Sequence, residues 1–184
     1  MPSNLLPVKT LFFLLLLCLQ GGALRGQFGG AEPNPKDFRP GGEAVRVEGT
    51  CFQLTPARDW AAGSVWHQKP FRLDAPFHLE MDLMLGCKDA DGADGIVFIF
   101  HSGAPRTGYR GEGMGFGGLR PALGIEVDTW ENEHLLDPPY DHLAVVVHGN
   151  LNHAYGLTAP VPARPDFGDV EDCRRHRLAV HWEP

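Results

Sequence analysis

The sequence predicts an all-β protein, an antiparallel β-sandwich on a single domain, and three observations carry that prediction. Short apolar or alternating segments recur along the chain, each bounded by Gly, Pro, Asn or Asp. Many short strands between such turns are the pattern of a sandwich or barrel. No stretch repeats its apolar residues every 3.6 positions between capping residues, so no helix of ordinary length is expected. The chain of 184 residues is 43% hydrophobic, which suffices for one core of normal size.

Taken in order, the first segment lies outside the fold. Lys9 precedes the apolar run "LFFLLLLCL" (Leu11 to Leu19), and Gly21, Gly22 and Ala23 follow it. A charged start, a short apolar core and small residues describe a secretory signal peptide over residues 1–26. The run falls short of the roughly 20 residues that span a bilayer. The expected protein is therefore secreted or extracytoplasmic, at a cell surface or in a periplasm, and not membrane-spanning. Residues 27–44, with "GGAEPNPKDFRPGG", read as a flexible Gly/Pro-rich arm, and residues 45–184 as the sandwich.

Within the sandwich the strand candidates are "AVRVEG", "CFQLT", "GSVWHQ", "FHLEMDLML", "GIVFIFH", "LGIEVDT", "HLAVVVHG" and "HRLAVHW". "FHLEMDLML" alternates strictly, placing Phe77, Leu79, Met81, Leu83 and Leu85 on one face. "GIVFIFH" is a continuous apolar run, as for a strand buried on both faces. The final candidate has no turn or partner strand after it. Such an edge is normally covered, and the sandwich reads as incomplete at its C-terminal end.

The formal charge of −7 argues against a nucleic-acid surface. The basic cluster Arg174, Arg175, His176 and Arg177 is too short to change that, and reads as a solvated face. Removal of the leader with Cys18 leaves Cys51, Cys87 and Cys173. That odd number leaves at least one thiol unpaired or lacking its partner, with the pairing open.

The chemistry concentrates in "GIEVDTWENEHLLDPPYDHLAVVV", Gly124 to Val147. Its ends are apolar strand, whereas its middle carries carboxylates, an Asn and imidazoles. Along an extended strand Glu126 and Asp128 share a face about 7 Å apart, with Ile125 and Val127 turned to the core. Two such carboxylates repel unless a cation joins them or one takes a proton. Asn132, Asp137 and His142 follow at intervals of four, five and five residues. Asp, Glu, Asn and a backbone carbonyl suit a hard cation such as Ca²⁺. An added imidazole makes a second pocket suited to Mn²⁺ or another transition ion. A cage shared by two cations explains the whole polar stretch.

"LGIEVDTWENEHLLDPPYDH" resembles the metal-binding segment of L-type (legume-type) lectins, and most closely the bacterial lectin-like branch. That resemblance implies a jelly-roll, concanavalin A-like sandwich and an exported carbohydrate-binding domain whose partners are glycans. It implies that Glu126 and His142 hold the transition ion and that Asp128 and Asp137 bridge both ions. Asn132 and the backbone carbonyl of Trp130 would complete the Ca²⁺ shell. Two further stretches agree. "GADGIVFIF" resembles the family's Ala-Asp-Gly segment, which implies a cis Ala93–Asp94 peptide and an Asp94 carboxylate that binds sugar hydroxyls. "GEGMGFGGL" resembles the Gly-rich loop whose backbone N–H, here that of Gly113, donates to the sugar. Asn132 joins Asp94 and Gly113 as a sugar contact. "DADGADG" also has the look of a Ca²⁺ loop, but Ala93 occupies the third ligand position of that pattern. Stacking aromatics among Phe116, Tyr109, Trp130 and Tyr155 are not assignable, and His67, His101 and His153 read as solvated loop residues.

Two other readings stand beside this one. Retaining β-glucanases on a similar sandwich use a Glu-x-Asp-x-x-Glu pattern, for which Glu126 and Glu131 would be nucleophile and acid/base about 5–5.5 Å apart. That reading leaves Asn132, Asp137, His142 and the Ala-Asp-Gly segment without a role. The other is a non-catalytic adhesive or structural module, in a larger surface assembly or a homo-oligomer.

Overall fold

A computed structural model describes residues 33–70, 72–104 and 106–184, together with the backbone of Leu15–Cys18. The remainder of the expected leader and the first part of the expected arm lie outside the described residues. The strands are β1 (Leu15–Cys18), β2 (Phe38–Gly42), β3 (Val45–Glu48), β4 (Cys51–Thr55), β5 (Gly63–His67), β6 (Phe77–Met84), β7 (Gly95–His101), β8 (Ala122–Asp128), β9 (His142–Val147), β10 (Val161–Pro162) and β11 (His176–Trp182). Short 3-10 turns are the helical elements among the described residues, and no helix there is long and apolar enough to cross a membrane. The strands form a five-stranded sheet in the order β11-β6-β1-β4-β3, a four-stranded sheet β10-β9-β8-β7, and a β2-β5 ribbon, with antiparallel pairing.

All eight candidate strands are present. The alternation of β6 sends Met81, Leu83 and Leu85 into a core with Phe52, Leu54, Ile96, Val127 and Val170, filling the space between the two large sheets. A second core lies on the opposite face of the four-stranded sheet, where Phe116, Leu119 and Leu151 cover Ala122 and Val146. β7 therefore packs on both faces, with Ile96 and Phe98 toward the first core and Val97 and Ile99 toward the second. It is nevertheless only half-buried along most of its length, because it is the outermost strand of its sheet.

The Gly/Pro-rich arm is shorter than expected. Phe38–Gly42 is a strand paired with β5 from Phe38↔His67 to Gly42↔Gly63. A two-stranded ribbon leaves one side of β2 unpaired, so Pro40 forfeits no ladder bond there. Leu15–Cys18, inside the expected leader, pairs with both β4 and β6. An apolar run that suits a leader equally suits a strand between two others. β11 pairs with β6 from His176↔Leu83 to Trp182↔Phe77 and forms one edge of its sheet.

Cys87 and Cys173 form a disulfide across 86 residues of sequence. In chain-entropy terms closing a loop of that size contributes about 4–5 kcal/mol. No free thiol exists among the described cysteines, so the unpaired cysteine that the odd count allowed is not seen.

Candidate functional site

Antiparallel register assembles the polar stretch. Asp128, the last residue of β8, lies directly opposite His142, the first of β9, and Glu126 lies opposite Ala144. Alternation puts all three functional side chains on the face that carries the second core. The connecting loop then folds back over that face. Its 3-10 turn at Glu133–Leu135 returns Asp137 to the strand ends, where Oδ2 accepts the Asn132 N–H at 2.8 Å. Asp128 Oδ1 accepts the Trp130 N–H, also at 2.8 Å.

The structure adds a candidate ligand that the sequence reading placed in solvent. His153 is not solvated; its side chain is 4% exposed. Its Nε2 lies 2.9 Å from His142 Nε2 and 3.2 Å from Asp137 Oδ1, and its Nδ1 lies 3.5 Å from Glu126 Oε1. Two turns deliver it there. Gly149, at positive φ, reverses the chain after β9, and Asn152 caps the His153–Tyr155 3-10 turn while donating to the His134 carbonyl at 3.0 Å. The nearest sequence signal was an imidazole just after an Asn cap. Its partners lie 11 to 27 positions away, beyond the reach of local pattern. His67, also expected in solvent, packs edge-on against Phe38 at 5.0 Å.

Two donor groups result: Glu126, His142 and His153, and Asp128, Asp137 and His142. Glu126, Asp128, Asp137 and His142 are all buried. Both Glu126 carboxylate oxygens, Asn132 Oδ1 and His153 Nδ1 are buried with no hydrogen-bond partner. Buried polar atoms left without partners are costly, and a cation among them removes that cost. The residues present thus fit a metal cage on their own chemistry: mixed nitrogen and oxygen toward the imidazoles, oxygen alone toward Asn132.

Electrostatics agree. Burial, with the Asp137 charge added, pushes the Glu126 carboxyl up to about 8. Burial pushes Asp128 up to about 9, with smaller upward pushes from Asp137, Glu126 and Asp94 and a downward pull from the Trp130 N–H. Burial also raises Asp137, against the pull of the Asn132 N–H. His142 is lowered to about 4 by burial and by His153, which leaves the imidazole neutral at pH 7 and free to act as a ligand. The signs set a testable pH profile. A carboxyl raised on folding binds more protons folded than unfolded, so metal-free stability falls as pH rises toward 8–9. His142 opposes this only below its unfolded value, so above about pH 6.5 the carboxyls act alone. Divalent ions must displace those protons, so loading favours high pH. From pH 6.5 to 8.5 the melting temperature in EDTA should fall while that in Ca²⁺ plus Mn²⁺ does not. Parallel curves would contradict this.

Asp94 lies beside the end of β8, since the next residue, Gly95, pairs with Asp128. Its peptide with Ala93 is cis, and its carbonyl accepts the Thr129 N–H at 3.0 Å, which ties it to the residue after Asp128. The next residue must be glycine: Gly95 has φ of +136°, and a Cβ there would lie 2.2 Å from the Val127 carbonyl oxygen. Burial and the charge of Glu112 raise the Asp94 carboxyl to about 6. Asp94, Gly111, Met114, Gly115 and Trp130 are among the residues lining an open cleft of about 1150 Å³. Gly113, the expected backbone donor to a sugar, lies in the same loop. It is buried, and its N–H closes a 3-10 turn on the Arg110 carbonyl at 3.2 Å. Phe116 is fully buried in the second core, which excludes it as a stacking surface, whereas Tyr109 and Tyr155 are exposed.

A family model described as the legume lectin beta-barrel domain matches residues 33–184. The chain belongs to this lectin family. L-type lectin domains are carbohydrate-binding modules that generally hold metal ions. The pesticidal crystal protein Cry22Aa of Bacillus thuringiensis is 35% identical over 97 residues, or 52% of this chain, and the match spans 13% of that much longer protein. Against a glucanase-type pair, Glu126 is 1% exposed and turned toward His153, whereas Glu131 is exposed. A glycosidase needs both carboxyls at the substrate.

Proposed function

We propose that this domain binds a glycan noncovalently at Asp94 in the cleft, in an exported protein, and that a two-ion cage holds the binding groups in place. The observation that carries the reading is the convergence of buried, unpartnered ligand atoms at the end of β8, beside Asp94. Glu126, His142, His153 and Asp137 would hold Mn²⁺ or another transition ion; Asp128, Asp137, Asn132 and the Trp130 carbonyl would hold Ca²⁺. A second imidazole, from His153, shifts the preference of the first pocket toward nitrogen-loving ions such as Zn²⁺. The ions would supply positive charge that lets four buried groups stay deprotonated and fixed.

With the loop so fixed, Asp94 accepts hydrogen bonds from sugar hydroxyls, Asn132 adds a side-chain contact, and Trp130 offers an apolar face beside them. The Gly-rich loop, Gly111 to Gly115, approaches closely because it carries few side chains. Gly113 can serve a ligand only by sharing the N–H that now closes its turn.

A glycan array probed with and without divalent ions tests the reading. Binding to a defined glycan set that vanishes on chelation and returns with Ca²⁺ plus Mn²⁺ supports it. Equal signals with and without EDTA would reject the role of the ions, and release of reducing ends from β-glucan would favour hydrolysis instead.

A further inference from the structure

The cleft that holds Asp94 is larger than a sugar needs, and most of its wall is apolar. Its volume of about 1150 Å³ exceeds the roughly 300–1,000 Å³ of a site for a drug-sized ligand. Every residue of β5 and of β7 lines it. At about 3.3 Å per residue, β7 alone extends over roughly 20 Å. Leu54, Leu79, Met81, Ile96, Phe98 and Phe100 contribute to the wall. Leu54, Met81 and Ile96 belong to the first core, and Leu79 and Phe98 pack against it, so the cleft opens onto the space between the sheets.

Three features distinguish this wall from an ordinary gap in packing. Trp60 lines the cleft, is 76% exposed, and holds a φ of +60°. A bulky side chain adopts that conformation only under constraint, and such strain gathers where ligands are clamped. The Arg58–Glu43 ion pair anchors the same loop. His101, the last residue of β7, brings an orphan donor. Its Nδ1 accepts the Gly103 N–H at 3.1 Å, so in the neutral ring the proton sits on Nε2, which is buried with no hydrogen-bond partner. Asp59, also in the wall, has a buried acceptor, Oδ1, without one. An apolar cavity with a few placed polar atoms is the usual form of a small-molecule site.

We propose that the ligand is a glycolipid-type conjugate, with its sugar head at Asp94 and its alkyl or acyl chain in the apolar cleft along β7. The inference rests on the sugar reading for Asp94 and adds the class of aglycone. Continuity carries it. Asp94 directly precedes β7, and the whole of that strand lines the cleft that Asp94 lines. A chain joined to a sugar at Asp94 therefore enters apolar walls without leaving the protein. A sugar alone has no use for those walls, because its hydroxyls would lose water there without gaining partners. Trp60 supplies an exposed apolar face to the chain, and His101 and Asp59 supply a donor and an acceptor for polar groups of the aglycone.

Titration calorimetry on the full chain in Ca²⁺ and Mn²⁺ tests it, with paired methyl and octyl glycosides of mannose, glucose, galactose and N-acetylglucosamine below their micelle-forming concentrations. For a sugar that binds, the octyl form should bind at least tenfold more tightly than the methyl form, and it alone should shift tryptophan emission to the blue. Trp60→Gly, which suits the positive φ and alters an exposed side chain, should lose most of that advantage. Asp94→Ala should weaken both forms. Methyl and octyl forms bound within about twofold of each other by wild type would overturn the proposal and leave the sugar site standing. Octyl affinity unchanged in Asp94→Ala would put a chain in the cleft without a sugar head and overturn both readings. Failure of every octyl form to bind would likewise overturn the proposal.

Discussion

Asp137→Ala should abolish detectable glycan binding, a loss of at least a hundredfold, and lower the melting temperature in the presence of ions. Asp137 reaches every part of the cage: its Oδ2 takes the Asn132 N–H, and its Oδ1 faces His153 at 3.2 Å and His142 at 4.0 Å. Ions bound at a hundredfold excess over their dissociation constant contribute about 2.7 kcal/mol. For a domain of this size that corresponds to roughly 5–10 °C. The sign in chelator is the sharper test. Without ions Asp137 is a repulsive charge on Glu126 and Asp128, so its removal relieves repulsion, while leaving the Asn132 N–H unpaired and taking the acceptor from His153 Nε2. The gap between variant and wild type should therefore shrink in EDTA, as read by calorimetry in both buffers. A gap of equal size in both would mean that Asp137 matters only as a hydrogen-bond acceptor.

Asp94→Ala should have the opposite profile: glycan binding lost by at least a hundredfold, with ion content and melting temperature close to wild type. A hydrogen bond to a charged group is worth about 1.5–3 kcal/mol, so two such bonds to sugar hydroxyls account for a hundredfold or more. Asp94 is half-buried, and burial raises its carboxyl to about 6. Its removal gives up little folding energy, because the charge is already disfavoured where it sits. The same direction predicts that wild-type binding fades as the pH falls through about 6, where the carboxylate takes a proton. Titration calorimetry with a glycan identified on the array measures both effects. Retained affinity in Asp94→Ala would move the sugar site elsewhere in the cleft.

Most of the fold was legible because alternation and turn chemistry are local. The face of β6 and the shared face of Glu126 and Asp128 follow from a period of two, and the candidate metal-binding segment is contiguous from β8 into β9. What escaped depends on distance or on sheet position. His153 joins the buried donor group of Glu126 and His142 only because Gly149 and Asn152 turn the chain back over β9, which no local period announces. β2 carries Pro40, Gly41 and Gly42 and resembles a linker by composition; it is a strand because β5 offers it a partner. Gly113 matched a Gly-rich loop by likeness, yet its N–H is engaged in the loop's own turn. Phe116 was left open as a sugar platform and lies wholly inside the second core.

The central claim is that divalent ions occupy the cage formed by Glu126, Asp128, Asn132, Asp137, His142 and His153. Elemental analysis of the folded protein, equilibrated with Ca²⁺ and Mn²⁺ and dialysed against metal-free buffer, tests it most directly. The account predicts about one transition ion per chain together with calcium, both removed by EDTA along with glycan binding. Folded protein containing neither calcium nor a transition metal would contradict it.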